Sequence, residues 1–183
     1  MDKRAFVEIL RQHRDRVFSY SLYCLRDRDD AEDVTQDAFL RLWHKRRSVD
    51  PERVEAWLIR VASNLCIDRA RRRQTVRRAL SSAEARDATA QAMAAAPAAP
   101  DSGLEREQAR TRLLDAMNVL SAETRSAMVM HYFQGLKIEE VARVLGRNTS
   151  TVKVQLFRAR RAMRQVLAAE RDAKAALQQE TTG

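Results

Sequence analysis

The densest set of side chains able to recognise a ligand lies between Arg143 and Arg164, where the sequence has seven basic residues and no acidic one. Hydroxyl groups and a lysine cluster at Thr149–Lys153, just ahead of most of the arginines. Arginine can grip a phosphate or donate two hydrogen bonds to O6 and N7 of guanine, and hydroxyls suit phosphates and base edges. The chemistry of this segment is therefore recognition of nucleic acid rather than the making or breaking of bonds.

Residue types that often catalyse reactions occur in this chain, but not in catalytic patterns. His13, His44 and His131 are isolated from one another, and there is no HExxH, CxxC, glycine-rich phosphate loop or nucleophile elbow. Cys24 and Cys66 fall in apolar helical patterns, so we expect both to be small buried hydrophobes. We expect no enzyme activity, no metal site and no cofactor.

Two helices joined by a short turn would present the basic segment to a ligand. Gly146 permits the turn, and the small Ala142 lets the second helix pack closely on the first. Val141, Leu145, Val152 and Leu156 are spaced to bury against one another, which leaves Ser150, Thr151, Lys153, Gln155, Arg158 and Arg161 facing outward. A merely solvated helix face usually mixes charges, so the missing acids favour a DNA-reading helix-turn-helix.

The composition agrees with a helical, nucleic-acid-binding protein. Glycine and proline are scarce, with four and three among 183 residues, which disfavours β-sandwiches and barrels. The formal charge is +9, which favours a polyanionic partner. No signal peptide and no apolar run of membrane-spanning length is present, so we expect a cytoplasmic protein without membrane insertion.

Local signals predict the helix boundaries and the domain organisation. Asp29 or Asp30 should cap one helix, Asp50 before Pro51 another, and Ser121 a third. The alanine-rich residues 81–103 contain two prolines and read as a flexible linker. The expected organisation is a first domain over 1–80, the linker over 81–103, a helix-turn-helix domain over 104–172 and a polar tail over 173–183.

The charge pattern of the first domain argues against a simple DNA-binding protein. From Asp27 to Asp37 there are six acids and one arginine, whereas Arg69–Arg78 holds six arginines and no acid. An acidic block repels phosphate, but it suits docking on a basic protein surface. Helix capping explains three or four of those acids but hardly all of them.

Three stretches resemble one family. DAEDVTQDAFLRLWHKRRS and EAWLIRVASNLCIDRARRRQ resemble the second conserved region of the extracytoplasmic-function group of bacterial RNA polymerase sigma factors. LSAETRSAMVMHYFQGLKIEEVARVLGRNTSTVKVQLFRARRAMRQVL resembles their fourth region. The resemblance implies an all-α fold of two small helical domains. It also implies partners: core RNA polymerase (through the β′ clamp and β flap), promoter DNA and an anti-sigma factor that wedges between the domains.

The resemblance also implies a role for individual residues. The polymerase-docking set is Asp33, Gln36, Asp37, Phe39 and Leu42. The set facing the melted minus-ten element is Arg46, Arg47, Ser48, Trp57, Arg60, Asn64, Arg69, Arg71 and Arg72, with Trp57 equally suited to the core. The set reading the minus-thirty-five element is Arg147, Thr149, Ser150, Thr151, Lys153, Val154, Gln155, Phe157, Arg158 and Arg161.

The chain departs from the family pattern on or beside this reading surface. Arg147 replaces a common aliphatic residue, and Val154 and Gln155 stand where a small polar residue and a basic one are frequent. These differences bear on which promoter is read. A free-standing helix-turn-helix regulator is the alternative; it would need its own dimer to match operator symmetry, and would have no use for the acidic helix.

Overall fold

The computed structural model describes residues 1–81 and 104–180, and within those ranges the chain is helical and forms no strand. The α-helices are α1 (Lys3–Leu25), α2 (Arg28–Lys45), α3 (Val54–Ser81), α4 (Leu104–Ala116), α5 (Ala122–Met128), α6 (Ile138–Leu145) and α7 (Thr149–Glu180). Short 3₁₀ turns lie at Pro51–Arg53 and Met117–Val119, and a π-helical turn follows α5 at Val129–Phe133. The predicted linker lies outside the described residues, apart from Ser81 at the end of α3.

Side-chain caps mark the start of α2 and of the 3₁₀ turn that leads into α3. Asp27, not Asp29 or Asp30, caps α2, since its Oδ1 accepts a hydrogen bond from the Asp30 N–H at 2.9 Å. The two other aspartates occupy the first turn instead, where carboxylates favour the positive end of the helix dipole. Asp50 accepts from the Glu52 N–H at 3.0 Å, so the cap predicted before Pro51 is confirmed.

The first domain is a bundle of α1, α2 and α3 around a closely packed apolar interior. Its centre contains Tyr20, Leu42 and Leu58, none of which is exposed. Cys24 and Cys66 are free and buried, as the apolar patterns predicted. Burial raises the pKa of the Cys66 thiol well above its ordinary value, which keeps that sulfur in its unreactive neutral form.

The second domain contains the predicted helix-turn-helix, formed by α6 and α7. Gly146 ends α6 with φ +64°, a left-handed conformation that glycine adopts without a side-chain clash. Asn148 then caps α7, since its Oδ1 accepts from the Thr151 N–H at 2.7 Å. Val141 of α6 and Val152 of α7 are both fully buried and belong to the same hydrophobic core.

Two helices extend to or beyond the predicted domain limits. α3 continues to Ser81, the first residue of the predicted linker, and α7 continues to Glu180 through most of the predicted polar tail. The α7 extension is rich in Ala, Glu, Lys, Leu and Gln, which are strong helix formers. None of the described helices combines the length and apolarity needed to cross a bilayer.

The two domains pack against each other through a small buried polar cluster. The Tyr20 hydroxyl lies 2.6 Å from Ser126 Oγ, and Ser63 Oγ lies 2.9 Å from the same atom. All three residues have no exposed surface. The hydrophobic core is therefore continuous from α1 and α3 into α5 and the helix-turn-helix.

Candidate nucleic-acid and protein interfaces

The acidic helix α2 forms one wall of an open groove against α1. Asp33, Gln36 and Phe39 line the groove, which has a volume of about 460 Å³. Asp33 and Gln36 are exposed at its rim, while Phe39 is buried and forms part of its apolar floor. An apolar depression edged by carboxylate and amide groups suits a partner with apolar and basic side chains.

One member of the predicted polymerase-docking set has a different place in the structure. Leu42 is fully buried and packs in the core of the first domain, so in this structure its side chain presents no surface to a partner. Asp37, one turn earlier, is partly exposed and remains accessible.

Arginines of α3 join that helix to the acidic helix. Arg69 donates to Asp30 at 2.7 Å and to Asp33 at 3.1 Å. Burial alone lowers the pKa of Arg69, but the hydrogen bond to Asp33 and the charge of Asp30 outweigh it and raise the pKa above its ordinary value. Arg69 was expected to face DNA, and in this structure its guanidinium is instead held between two carboxylates.

The loop between α2 and α3 presents basic groups in a fixed arrangement. The Arg46 guanidinium lies 4.1 Å from the centre of the Trp43 ring and donates to the Trp43 carbonyl at 2.8 Å. Ser48 Oγ donates to the Lys45 carbonyl at 3.0 Å, and Val49 is buried beneath the loop. Arg47 is exposed, so the loop offers one cation held against an aromatic ring and one directed at solvent.

The outer face of α3 is polar and accessible along most of the predicted minus-ten surface. Arg60, Asn64 and Arg72 are exposed, and they follow one another up the helix. Trp57 is only partly buried and packs against the core, a position between the two roles predicted for it. Arg71 differs from its neighbours because it donates to Glu123 of the second domain at 2.5 Å.

Nearly all of the predicted minus-thirty-five set is exposed on α7, the predicted reading helix, and on the turn before it. Exposed members of the set are Arg147, Thr149, Ser150, Thr151, Lys153, Val154, Phe157, Arg158 and Arg161. Gln155 is the exception, since it is partly buried and its Nε2 donates to Thr124 Oγ1 at 3.0 Å. That amide is therefore engaged with α5 in this conformation.

Glu123 connects the two basic surfaces across the domain boundary. Its Oε1 accepts from Arg71 of α3, and its Oε2 accepts from Arg147 of the helix-turn-helix at 3.2 Å. One carboxylate therefore neutralises an arginine from each predicted DNA-binding surface. Reasoning from the sequence missed this residue because nothing in a linear pattern pairs position 123 with position 71.

Sequence reasoning also missed the contribution of α1 to the groove. Phe6, Leu10, Arg14 and Phe18 line it opposite α2. The apolar spacing of Phe6 and Leu10 was visible, but a buried stripe and a groove wall have the same periodicity. Only the structure shows that residues of α1 and α2 line an open groove together.

Comparison with known families assigns both domains. Residues 9–76 match the family described as Sigma-70 region 2, and residues 110–163 match Sigma-70, region 4. The chain is 32% identical over 161 residues to the ECF RNA polymerase sigma factor SigE of Mycolicibacterium smegmatis, covering 88% of this chain and 61% of that protein. It is 31% identical over 157 residues to ECF RNA polymerase sigma factor SigK of a Mycobacterium species, covering 85% of this chain and 79% of that one.

Two solved structures share the arrangement of helices. One is the sigma factor RpoE in complex with the anti-sigma factor NepR from Bartonella quintana, with a TM-score of 0.70 and 23% identity over 89% of this chain and 96% of that one. The other is CnrH in complex with the cytosolic domain of CnrY, with a TM-score of 0.63 and 22% identity over 92% and 90%. With both sigma-70 regions matched in order and relatives above 30% identity, the chain belongs to the ECF family of RNA polymerase sigma factors.

Proposed function

We propose that this protein binds core RNA polymerase through the groove edged by α2, and directs it to promoters with α3 and α7. The observation that carries the proposal is the separation of charge. Glu32 and Asp33 of α2 stand on a groove with an apolar floor, whereas the exposed arginines of α3 and α7 lie outside its lining. The first surface suits a protein and the others suit DNA.

The proposed contact with polymerase uses the β′ clamp, with Asp33, Gln36 and Asp37 pairing with basic and polar groups of the partner. Phe39 supplies apolar surface at the centre of the contact. Apolar anchors surrounded by polar rims provide most of the energy of protein interfaces. The β flap is the proposed partner of the second domain. A protein that works on polymerase would act in the cytoplasm, and the polymerase would supply the catalysis.

The proposed contact with promoter DNA is divided between the domains. The exposed Arg47, Arg60, Asn64 and Arg72 face the melted minus-ten strand, since single strands are held by positive grooves and stacking surfaces. Arg69 and Arg71 join this set when their carboxylate partners are drawn away. The first turns of α7 enter the major groove at the minus-thirty-five element, as the N-terminal residues of a recognition helix do.

An anti-sigma factor is a further proposed partner. Both structural neighbours were solved as complexes with anti-sigma proteins, and this chain shares their fold. An inhibitor that occupies the groove of α2 would compete directly with polymerase. Competition of this kind would appear as loss of core binding when the inhibitor is added to purified protein.

The deciding experiment measures binding to core polymerase by the paired variant Asp33→Asn and Asp37→Asn. Removing the rim charge of Asp33 and the charge of Asp37 on the same helix should weaken core binding by at least about thirtyfold, because each interfacial charge pair contributes on the order of 1 kcal/mol or more. Asp15→Asn is the matched control, since Asp15 is 92% exposed and lies on α1 rather than on the acidic helix α2. Undiminished core affinity of the paired variant would refute docking through this surface.

A transcription assay separates the proposal from a free-standing regulator. Purified core polymerase with this protein should start transcription at defined promoters, which core alone does not do. If no promoter-directed start appears with the cognate core, and the protein alone binds duplex DNA tightly as a dimer, the regulator is the correct function.

A further inference from the structure

Val154 and Phe157 are large apolar side chains that stand in solvent on the reading helix. They are 48% and 54% exposed. The neighbouring Lys153 and Arg158 are exposed as well, so the pair interrupts a surface that is otherwise polar and cationic. Single exposed apolar residues are ordinary on protein surfaces. Whether this pair could contact a ligand therefore depends on which side of α7 it occupies.

The pair lies on the side of α7 that faces away from its own domain. Val152, Leu156, Ala159 and Met163 are the buried residues of this part of the helix, and at about 100° per residue they fall within an arc of about 60°. Val154 and Phe157 lie more than about 120° from the centre of that arc. Arg161 lies at a helical angle between those of Val154 and Phe157. The apolar pair therefore belongs to the strip of α7 that is farthest from its own domain.

A helix that enters the major groove meets base edges with its outermost strip, while its flanks meet phosphates. Most groups on base edges in that groove are hydrogen-bond donors and acceptors, which valine and phenylalanine cannot pair with. The C5-methyl group of thymine is the apolar exception. Two apolar side chains on the reading strip therefore match thymine and leave the polar groups of other bases unsatisfied.

We propose that Val154 and Phe157 read the methyl groups of thymines in the minus-thirty-five element and so help to set which promoters are used. The inference rests on the proposed function, because it requires α7 to lie in the major groove. Three residues advance about 4.5 Å along a helix and one base step advances about 3.4 Å. The two contacted thymines therefore lie within one or two base-pair steps of each other, on either strand.

The test removes the methyl groups without changing base pairing. Holoenzyme assembled from core polymerase and the full chain selects from two pools of promoters with a randomised minus-thirty-five block. One pool carries thymidine in that block and the other carries deoxyuridine there. At one or two positions, enrichment of thymidine in the first pool should exceed enrichment of deoxyuridine in the second about three- to fivefold, which is the effect of burying one methyl group. The Val154→Ala and Phe157→Ala double variant should lose this preference.

The controls separate this inference from the function on which it rests. Val119→Ala removes an exposed valine of the second domain outside the reading helix, and its holoenzyme should keep the preference. Equal selection of thymidine and deoxyuridine by the unaltered holoenzyme, with a defined minus-thirty-five sequence still enriched, would overturn the inference alone. A preference that persists in the double variant would overturn it too. Enrichment of no sequence in the block, with no promoter-directed start, would overturn the proposed function and the inference with it.

Discussion

Asp27 shows how one side chain both starts a helix and ties it to its neighbour. Its Oδ1 caps α2, and its Oδ2 accepts from Arg73 of α3 at 2.8 Å. The hydrogen bond from the Asp30 N–H, together with the bond and charge of Arg73, holds the pKa of Asp27 below its ordinary value. A carboxyl group with a depressed folded pKa stabilises the fold above its unfolded pKa, and that stabilisation is lost as the pH falls through the folded value.

Asp27→Asn tests this linkage. Asparagine still caps a helix, but it cannot carry the charge that pairs with Arg73, so the variant should lose at most about 1 kcal/mol near neutral pH. The difference should shrink towards zero in acid, because the wild-type carboxyl is then protonated. Denaturant unfolding across a pH series measures both values. A difference that stays constant down to the acid limit would show that the charge of Asp27 has no part in stability.

Arg158 is exposed on α7 and belongs to the proposed reading surface. Arg158→Ala should weaken binding of holoenzyme at the minus-thirty-five element. A bidentate contact to guanine predicts a loss of about 1–3 kcal/mol that depends on the base at one position, whereas a phosphate contact predicts a uniform loss and a salt slope reduced by about one. Arg171→Ala is the control, since Arg171 is 82% exposed on the same helix beyond the reading segment. Equal losses for the two variants would remove Arg158 from the reading surface.

Among the helical elements, the helix-turn-helix was the feature most completely predicted. Its turn, its buried contacts and its basic face all depend on residues close to one another in the chain, and local rules govern such short separations. Helix ends were predicted less well. Asp27 rather than Asp29 or Asp30 caps α2 because neighbouring aspartates offer equivalent caps, and packing of the helix against its neighbours selects among them.

Gly146→Val should damage the orientation of α7 more than Gly146→Asn. Gly146 has φ +64°, and no atom lies within 4 Å of the place that a Cβ would take, so a substitution costs backbone strain rather than a clash. A β-branched residue is strained there by about 1–2 kcal/mol, while asparagine tolerates the left-handed region. Thermal unfolding and binding at the minus-thirty-five element should both fall in the order Gly, Asn, Val. Equal stability of the valine and asparagine variants would contradict this explanation.

Across the whole molecule, the two domains form one body in which groups proposed to face DNA contact protein instead. The buried Tyr20, Ser63 and Ser126 hydroxyls hold the interface, and Glu123 engages Arg71 and Arg147 at its edge. Arg125 adds a donor to the Cys24 carbonyl at 3.2 Å, and burial lowers the pKa of its guanidinium. If both surfaces bind promoter DNA as proposed, Arg71 and Arg147 must exchange the carboxylate of Glu123 for phosphate groups of the DNA.

A double-mutant cycle on Tyr20 and Ser126 should measure the strength of this interface. Ser126→Ala leaves the buried Tyr20 hydroxyl without its shortest partner and should cost about 1–3 kcal/mol. Adding Tyr20→Phe removes one of the two hydroxyls that Ser126→Ala strands, the other being Ser63, so the two losses should not add and the coupling should reach at least about 0.5 kcal/mol. Unfolding free energies of the four proteins give the coupling. Additive losses would mean that the two hydroxyls do not interact and that other contacts hold the domains together.

The linear order of residues was sufficient to predict the helical class, the helix-turn-helix, the buried cysteines and the family. These features depend on periodicity, on local caps and on motifs that can be read along the chain. Packing in three dimensions was needed to establish that Leu42 is core, that Arg69 lies between Asp30 and Asp33, and that Glu123 joins two basic surfaces. Each of these outcomes pairs residues far apart in the chain. Such pairings are set by how whole helices pack, and no periodic pattern within one helix encodes its distance to another.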